Sequence, residues 1–276
     1  MINATGNRMM REIARQSTLA DQIERTQGQI SSGVRLQRPS DDAVAAQRIG
    51  AIGKAQASAA TWARNVGTAE AQVSQADVAL ASTANLLIRA RELALSAANG
   101  STNPADRATI AAELSVIAAE IDGLAASRDS NGEPLFAAAN AKLVRFDADT
   151  SFAPVPSAAE AFVVGGNGVA TGLRDAAAAI AAGDTAAIGG ALDTLTAGIS
   201  HIADQRAAMG LAAGRLERIG DALASRGIAL TEERSALEDT DLSVAIAQLN
   251  AQNLTLEAAQ AAFARINRQS LFDILG

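Results

Sequence analysis

The chain has 276 residues, a formal net charge of −7, no cysteine, and aromatic residues at only 3% of its positions. The lack of cysteine excludes disulfides, thiolate nucleophiles and sulfur-ligated metals. The acidic balance disfavours nucleic acid and anionic lipid as partners, and no stretch reaches the roughly 20 apolar residues of a membrane span, so we expect neither nucleic-acid binding nor membrane insertion.

The first predicted element is an amphipathic helix over residues 3–32. Ser31-Ser32-Gly33 ends it, because glycine is favoured just beyond the last helical turn. The apolar residues of this helix form a narrow stripe. One helix alone cannot bury such a stripe, so the pattern predicts a partner helix. The stripe has the alternating three- and four-residue spacing of a coiled coil, and this N-terminal seam consists of Met9, Ile13, Gln16, Ala20, Ile23, Gln27 and Ile30.

Capping signals predict the next two helices. Ser40, Asp41 and Asp42 supply the cap of a helix over about residues 42–98. Asn103 caps a helix over residues 104–128, with proline at its first position. Residues 134–170 then change character, because prolines, glycines and short β-like runs replace the helical period. We expect one or two small hairpins in this segment.

Helix is predicted again from about residue 174, with breaks expected near Gly183 and at Gly189-Gly190. A long helix then covers residues 186–237. Its seven-residue repeat indicates a seam inside a helical bundle. This bundle seam consists of Ile202, Met209, Leu216, Leu223, Leu230 and Leu237.

The last predicted helix covers residues 241–272, after a charged joint. Residues 1–40 carry six arginines against three acids, whereas residues 238–276 carry five acids against two arginines. Opposite charge therefore favours association of the two chain ends. The C-terminal seam consists of Leu242, Ala245, Leu249, Gln252, Leu256, Ala259, Phe263 and Ile266.

These elements predict a mainly α fold. It is an elongated antiparallel helical bundle with paired N- and C-terminal coiled-coil helices and a small β-containing insert. We expect residues 1–40 and 239–276 to form a terminal-helix assembly domain. Residues 41–138 and 172–238 would form the bundle, and residues 139–171 the small β or irregular insert.

The chain resembles the bacterial flagellin family in motifs that follow the family's order along nearly the whole sequence, excluding about residues 140–185. Residues 29–36 (QISSGVRL) resemble its LSSGxRI signature, and residues 238–241 (EDTD) match its EDxDxA joint. Each motif alone is weak, but their joint order and spacing are specific. The other matches are residues 85–94 to the LxRxREL helix, residues 119–122 with Asn131-Gly132 to EID…NG, and residues 204–217 to RxxxGAxxNRLE, with Gly214 where asparagine is usual.

Two details favour, within this family, the flagellin-type hook-associated protein of the hook–filament junction. Residues 38–46 (RPSDDAVAA) resemble the junction form RPSDDPVAA, where filament flagellins more often have AKDDAAG. Residues 270–275 (SLFDIL) resemble the junction ending SLFDYL, where filament flagellins more often end in SLL. Filament flagellin stays open as the alternative, and another type III-secreted coiled-coil assembly component is a remoter one.

The resemblance implies an extracellular structural subunit of the flagellum that self-assembles into a helical tube. Its terminal helices would line the inside, and its insert would point outward. The implied partners are copies of itself, the other hook-associated protein, flagellin, and a cytosolic export chaperone. Export would use the flagellar type III apparatus without a cleaved signal peptide. We expect no enzyme activity, cofactor or metal site, because the sequence shows no nucleophile–base pair, ligand cluster or phosphate loop.

Overall fold

The computed structural model describes the backbone of residues 2–99 and 102–275, and the side chains of residue 7, residues 9–99 and residues 102–265. Within this part of the chain the protein is mainly α, in antiparallel helical packing, as the sequence predicts. Its seven helices, in chain order, are α1 (Ile2–Ser32), α2 (Ala43–Ala97), α3 (Pro104–Ala125), α4 (Ala158–Phe162), α5 (Val169–Ala182), α6 (Thr185–Glu238) and α7 (Leu242–Leu275).

The chain divides into two compact units. The terminal unit comprises residues 1–56 and 228–276, and the central unit comprises residues 57–227. The long helices α2 and α6 contribute residues to both. The terminal unit therefore contains α1, α7, the first turns of α2 and the last turns of α6.

The terminal unit has a sparse core in which α1 packs against α7. Few side chains of this unit are buried, because long helices packed in pairs leave most of their circumference in solvent. Among the described residues, the buried hydrophobic side chains of the terminal unit are Ile23, Ala45, Ile52 and Ala245.

The central unit holds the main core. Its part of α2 runs antiparallel to α6, because Asp77 pairs with Arg206 while Leu87, further along α2, lies near the earlier residue Gly198. The side chains at the seven-residue spacing of α2 face this core. They are all buried, and they are Val66, Val73, Leu80, Leu87 and Ala94.

Two short hairpins interrupt the helices of the central unit, in the segment where the sequence predicts them. Their side chains are part of the core: the Phe146 and Phe152 rings lie 4.6 Å apart, and Phe136 meets Phe162 edge to face at 5.0 Å. Aromatic burial of this kind anchors a segment with little backbone pairing of its own. The antiparallel pairs are β1 (Val144–Arg145) with β2 (Ser151–Phe152), and β3 (Val163–Val164) with β4 (Asn167–Gly168).

One predicted helix break is present and the other is wrong. Gly183 ends α5 with a φ of 73°, a left-handed conformation that glycine adopts without steric cost. The expected break at Gly189-Gly190 does not occur, because α6 begins at Thr185 and continues through both glycines. Asp184 starts this helix by accepting the backbone N–H groups of its first turn.

Candidate assembly site

A short backbone joint brings the end of α1 to the start of α7. Gly33 ends α1 with a φ of 70°, and its carbonyl accepts the N–H of Thr240 at 2.9 Å. The Arg35 N–H donates to Glu238 O at 2.6 Å, so Val34 and Asp239 pair as an antiparallel bridge. These bonds fix where α7 begins relative to α1.

Arg35 also stabilises the C-terminal end of α6. Its guanidinium donates a hydrogen bond to Leu237 O at 2.9 Å. Gln29 Nε2 donates a second hydrogen bond to the Arg35 carbonyl at 2.8 Å. A cation at this place satisfies a carbonyl that the helix leaves free and complements the helix dipole. On the other side of the joint, Asp241 Oδ1 accepts the N–H groups of the first turn of α7, so the charged joint predicted by the sequence acts as a helix cap.

The N-terminal seam is only partly turned towards α7. Ile23 is buried, Gln16 and Ile30 are half-buried, and Ala20 and Gln27 are exposed. Met9 and Ile13 are 46% and 51% exposed. Apart from Gly28 and Gln29 near the helix end, the buried and half-buried positions instead follow the same three–four rhythm with one row placed a residue earlier. They are Glu12, Gln16, Leu19, Ile23, Thr26 and Ile30.

The difference has a physical cause. The predicted spacing placed Gln27 in the seam, whereas the structure buries its neighbour Thr26, which is 3% exposed. The Thr26 hydroxyl lies 2.9 Å from Gln22 O within its own helix and 3.1 Å from Gln252 Oε1 of α7. A threonine can occupy a seam when its hydroxyl finds acceptors there. In the sequence, the signal for this contact was Gln252, because a polar residue in the α7 seam needs a polar partner on the helix that faces it.

The C-terminal seam follows the predicted spacing more closely. Ala245 is buried, whereas Leu242 is 48% exposed. The side chain of Ile266 lies outside the described residues. The remaining members are half-buried, and they are Leu249, Gln252, Leu256, Ala259 and Phe263.

Both terminal helices keep large apolar side chains in solvent. Met10 of α1 is 73% exposed, and Leu254 and Val244 of α7 are 68% and 61% exposed. The α1–α7 pair therefore has apolar surface left over after pairing. Such surface can bury itself against further helices.

Family models match both ends of the chain. The bacterial flagellin N-terminal helical region matches residues 3–141, and the bacterial flagellin C-terminal helical region matches residues 192–275. The chain belongs to the bacterial flagellin family. As a flagellin-family member it is a structural protein of the flagellum. No curated protein matches its sequence at a significant level.

Several solved structures share the fold. A protein from Vibrio parahaemolyticus described as a flagellar hook-associated protein has a TM-score of 0.66 at 17% identity, covering 72% of this chain and 100% of that chain. FlgL from Xanthomonas campestris has a TM-score of 0.58 at 15% identity, covering 67% and 99%. FlgL from Bacillus cereus has a TM-score of 0.57 at 18% identity, again covering 67% and 99%. At these identities the likeness shows the fold.

The bundle seam of this flagellin-family chain lies on α6. Ile202, Met209, Leu216 and Leu223 are buried in the central unit. Leu230 and Leu237, which fall in the terminal unit, are half-buried.

An exposed ion pair joins α2 and α6 within the terminal unit. Arg48 Nε donates to Glu233 Oε1 at 2.5 Å. This hydrogen bond lowers the pKa of the Glu233 carboxyl and raises the pKa of the Arg48 guanidinium. Both side chains are partly in solvent, so the pair aligns the two helices more than it stabilises them.

The described residues show neither a membrane-spanning helix nor a cluster of metal-ligating side chains. None of the helices there is long and apolar enough to cross a membrane. In the same part of the chain, no three metal-ligating side chains come together.

Proposed function

We propose that this flagellin-family chain self-assembles through α1 and α7 at the hook–filament junction of the flagellum. The observation that carries the proposal is the apolar surface that the helix pair leaves in solvent, including Met10 and Leu254. A helix pair of this kind reaches a stable state by packing against pairs from other copies. In this proposal the terminal helices, residues 1–40 and 239–276, form the assembly domain.

The junction role rests on the motifs of residues 38–46 and 270–275 and agrees with the hook-associated proteins that share the fold. The other hook-associated protein and flagellin are then its neighbours, and an export chaperone binds it before type III secretion. The protein is located outside the cell, in the flagellum, and it has no catalytic activity. Filament flagellin is the alternative, because the matching family models cover helical regions named for flagellin itself.

Charged substitutions on the exposed stripe of α1 test the assembly role. The double variant Met9→Glu, Ile13→Glu should lose self-association, because carboxylates cannot be buried against apolar helices without a large desolvation cost. Sedimentation velocity of the full-length protein measures this. The matched control is Leu143→Glu, since Leu143 is 73% exposed in the insert. The assembly proposal fails if both variants associate as the unsubstituted chain does.

Labelling along isolated flagella separates the two candidate positions. An epitope tag at the exposed Leu143 should mark a single band between hook and filament when viewed by immunogold electron microscopy. Label along the whole filament would instead identify a filament flagellin.

A further inference from the structure

A groove of about 600 Å³ lies on the surface of the central unit, between α2 and α3. Leu86 and Leu124 give it an apolar lining, and both side chains are half-buried against the main core. Gly123 keeps it open, because a Cβ added there would contact no neighbouring element within 4 Å. We call this feature the α2–α3 groove. Its other lining residues are Ser82, Asn85 and Glu120.

Exposed apolar side chains extend the groove along both helices. Val78 precedes Ser82 by one turn of α2 and is 63% exposed, while Val116 precedes Glu120 by one turn of α3 and is 58% exposed. Residues four positions apart lie on the same face of a helix. The apolar surface left in solvent is therefore larger than the groove itself. Contiguous apolar surface of this kind marks an interaction site.

Glu120 is the only charged residue among those that line the groove. It is exposed and forms no ion pair with any described side chain. Arg89, one turn beyond Asn85 on α2, does not neutralise it, because its guanidinium pairs with Glu113 at 3.1 Å and Glu92 at 3.7 Å. The groove thus combines an apolar lining with one uncompensated negative charge.

The outer face of α6 carries an apolar knob in an uncharged stretch. Leu211 is 77% exposed, and residues 207–214 around it contain no charged side chain. Most of these residues are alanine or glycine. Since the distance between packed helices depends on the size of the side chains at the contact, another helix can approach Leu211 closely.

An unpaired cation lies on the same face as this knob. Arg218 follows Leu211 by seven residues, which places it about 20° around the helix axis from Leu211. It is exposed and forms no ion pair with any described side chain, including Asp221, which lies about 60° further around the helix. Its Nη1 lies 3.7 Å from the position of a Cβ at Gly214, so the guanidinium extends back along α6 towards Leu211.

The groove and Leu211 lie on different sides of the central unit, so one copy cannot bring them together. Leu87 of α2 faces α6, because its Cδ1 lies 3.7 Å from the position of a Cβ at Gly198. Asn85, in the groove, is about 160° around the α2 axis from Leu87. On α6, Leu211 is likewise about 160° around the axis from the buried Met209.

We propose that the α2–α3 groove of one copy receives Leu211 of a second copy, whose Arg218 pairs with Glu120. The inference rests on the proposed function, because it needs copies packed side by side. The spacing fits α6 of one copy lying antiparallel to α3 of the other. The Arg218 guanidinium lies beside Gly214, three residues from Leu211, and Glu120 is likewise three residues from Gly123. Contact between two different patches propagates from copy to copy, as a helical tube requires.

Charge argues for a second copy as the occupant. Chains with a net charge of −7 repel one another, so a contact between copies needs complementary charges at the point where they meet. Arg218 and Glu120 are such a pair, and neither has another partner among the described side chains. The ion pair would select the orientation, whereas burial of Leu211 would supply more of the affinity.

Substitutions on both sides of the contact test the inference in the full-length chain. Leu211→Glu and Gly123→Leu should each raise the protein concentration needed for self-association by about tenfold, since one brings a carboxylate to an apolar groove and the other fills that groove. Both should fold, because Leu211 is exposed and position 123 has free space. Sedimentation velocity measures association, and circular dichroism checks folding.

The chain offers a matched control for each substitution. Leu143→Glu makes the same change at a leucine of the insert that is 73% exposed. Gly189→Leu makes it at an exposed glycine of α6 where an added Cβ also has free space. Both control variants should associate as the unsubstituted chain does.

A charge exchange tests the ion pair. Glu120→Arg and Arg218→Glu should each raise the concentration needed for association by up to about fivefold, because like charges are then opposed across the contact. The double variant Glu120→Arg, Arg218→Glu should associate as the unsubstituted chain does. A double variant that is no better than the single ones overturns the pairing of Arg218 with Glu120.

Disulfide cross-linking tests the proximity directly, because the chain has no cysteine of its own. At concentrations at which copies associate, a mixture of Gly123→Cys and Leu211→Cys should form a linked dimer on oxidation with copper phenanthroline, since a disulfide needs Cα atoms within about 7 Å. A mixture of Gly123→Cys and Leu143→Cys should not. Absence of the first product would contradict the inference.

The outcomes separate this inference from the proposed function. Association that is unchanged in both Leu211→Glu and Gly123→Leu overturns the inference and leaves the assembly role of α1 and α7 intact. Association weakened by Gly123→Leu alone also overturns it, because the groove would then receive a segment other than α6. An unsubstituted chain that stays monomeric at every concentration contradicts both the inference and the proposed function.

Discussion

At the residue scale, Thr26 shows how a polar side chain can specify the pairing of two helices. It is almost fully buried between α1 and α7, and its hydroxyl reaches the side-chain amide of Gln252. A hydrogen bond at a coiled-coil seam penalises every register that separates its partners. Further towards the start of α1, Gln16 Nε2 is buried with no partner among the described residues, so it contributes a cost that Thr26 avoids.

We expect Thr26→Val to destabilise the α1–α7 pair by about 1 kcal/mol, because Gln252 loses its partner. The double variant Thr26→Val, Gln252→Leu should recover most of this loss, since both polar groups are then gone. Hydrogen exchange of α7 amides measures the local free energy of opening. Thr18→Val is the control, because the Thr18 hydroxyl bonds only within α1. Purely additive effects of the two substitutions would show that Thr26 and Gln252 are not coupled.

At the element scale, α5 and α6 are separated by two residues, and the first, Gly183, lies in the left-handed region. Gly183 has a φ of 73°, and its N–H bonds to the last carbonyls of α5. Asp184 follows at once and caps α6. Two residues thus end one helix and begin the next. Gly189 and Gly190 do not break α6, because helix propensity is a weak local preference that capping and packing override.

Alanine substitutions at two glycines should have opposite effects. Gly183→Ala should lower the free energy of unfolding by about 1–2 kcal/mol, because an L-residue is strained at positive φ. Gly190→Ala should raise it by up to about 1 kcal/mol, since alanine is the better helix former and no atom lies within 4 Å of the added Cβ. Thermal unfolding measured by circular dichroism compares the two. Destabilisation of similar size in both variants would contradict this account of the α5 end.

At the scale of the whole molecule, burial is distributed very unevenly. All the buried side chains of the main core fall within residues 57–227. The terminal unit has few buried hydrophobic residues among those described, and Ile23 and Ala245 are the ones contributed by α1 and α7. Local stability follows the density of buried apolar contacts. The helices proposed to mediate assembly are therefore the least stabilised part of the free subunit.

Hydrogen exchange should make this difference visible. In the free subunit we expect amides of α1 and α7 to exchange faster than core amides of α2, such as those around Leu80 and Leu87. On assembly the terminal helices should become protected while the α2 amides change little. Mass spectrometry of proteolytic peptides can follow both states. Equal protection of α1 and α2 in the monomer would mean that the helix pair is stable without other copies.

The sequence by itself determined the long helices, their approximate ends and the family, because helical periodicity, capping and ordered motifs are local properties. Only the tertiary structure decided the phase of the α1 seam, the joint made by Arg35, and the burial of Phe146 and Phe162 in the core. It also brought Asp147 to Arg226. Each of these depends on which face a partner distant in the chain presents, and that information is absent from the spacing of residues along one helix.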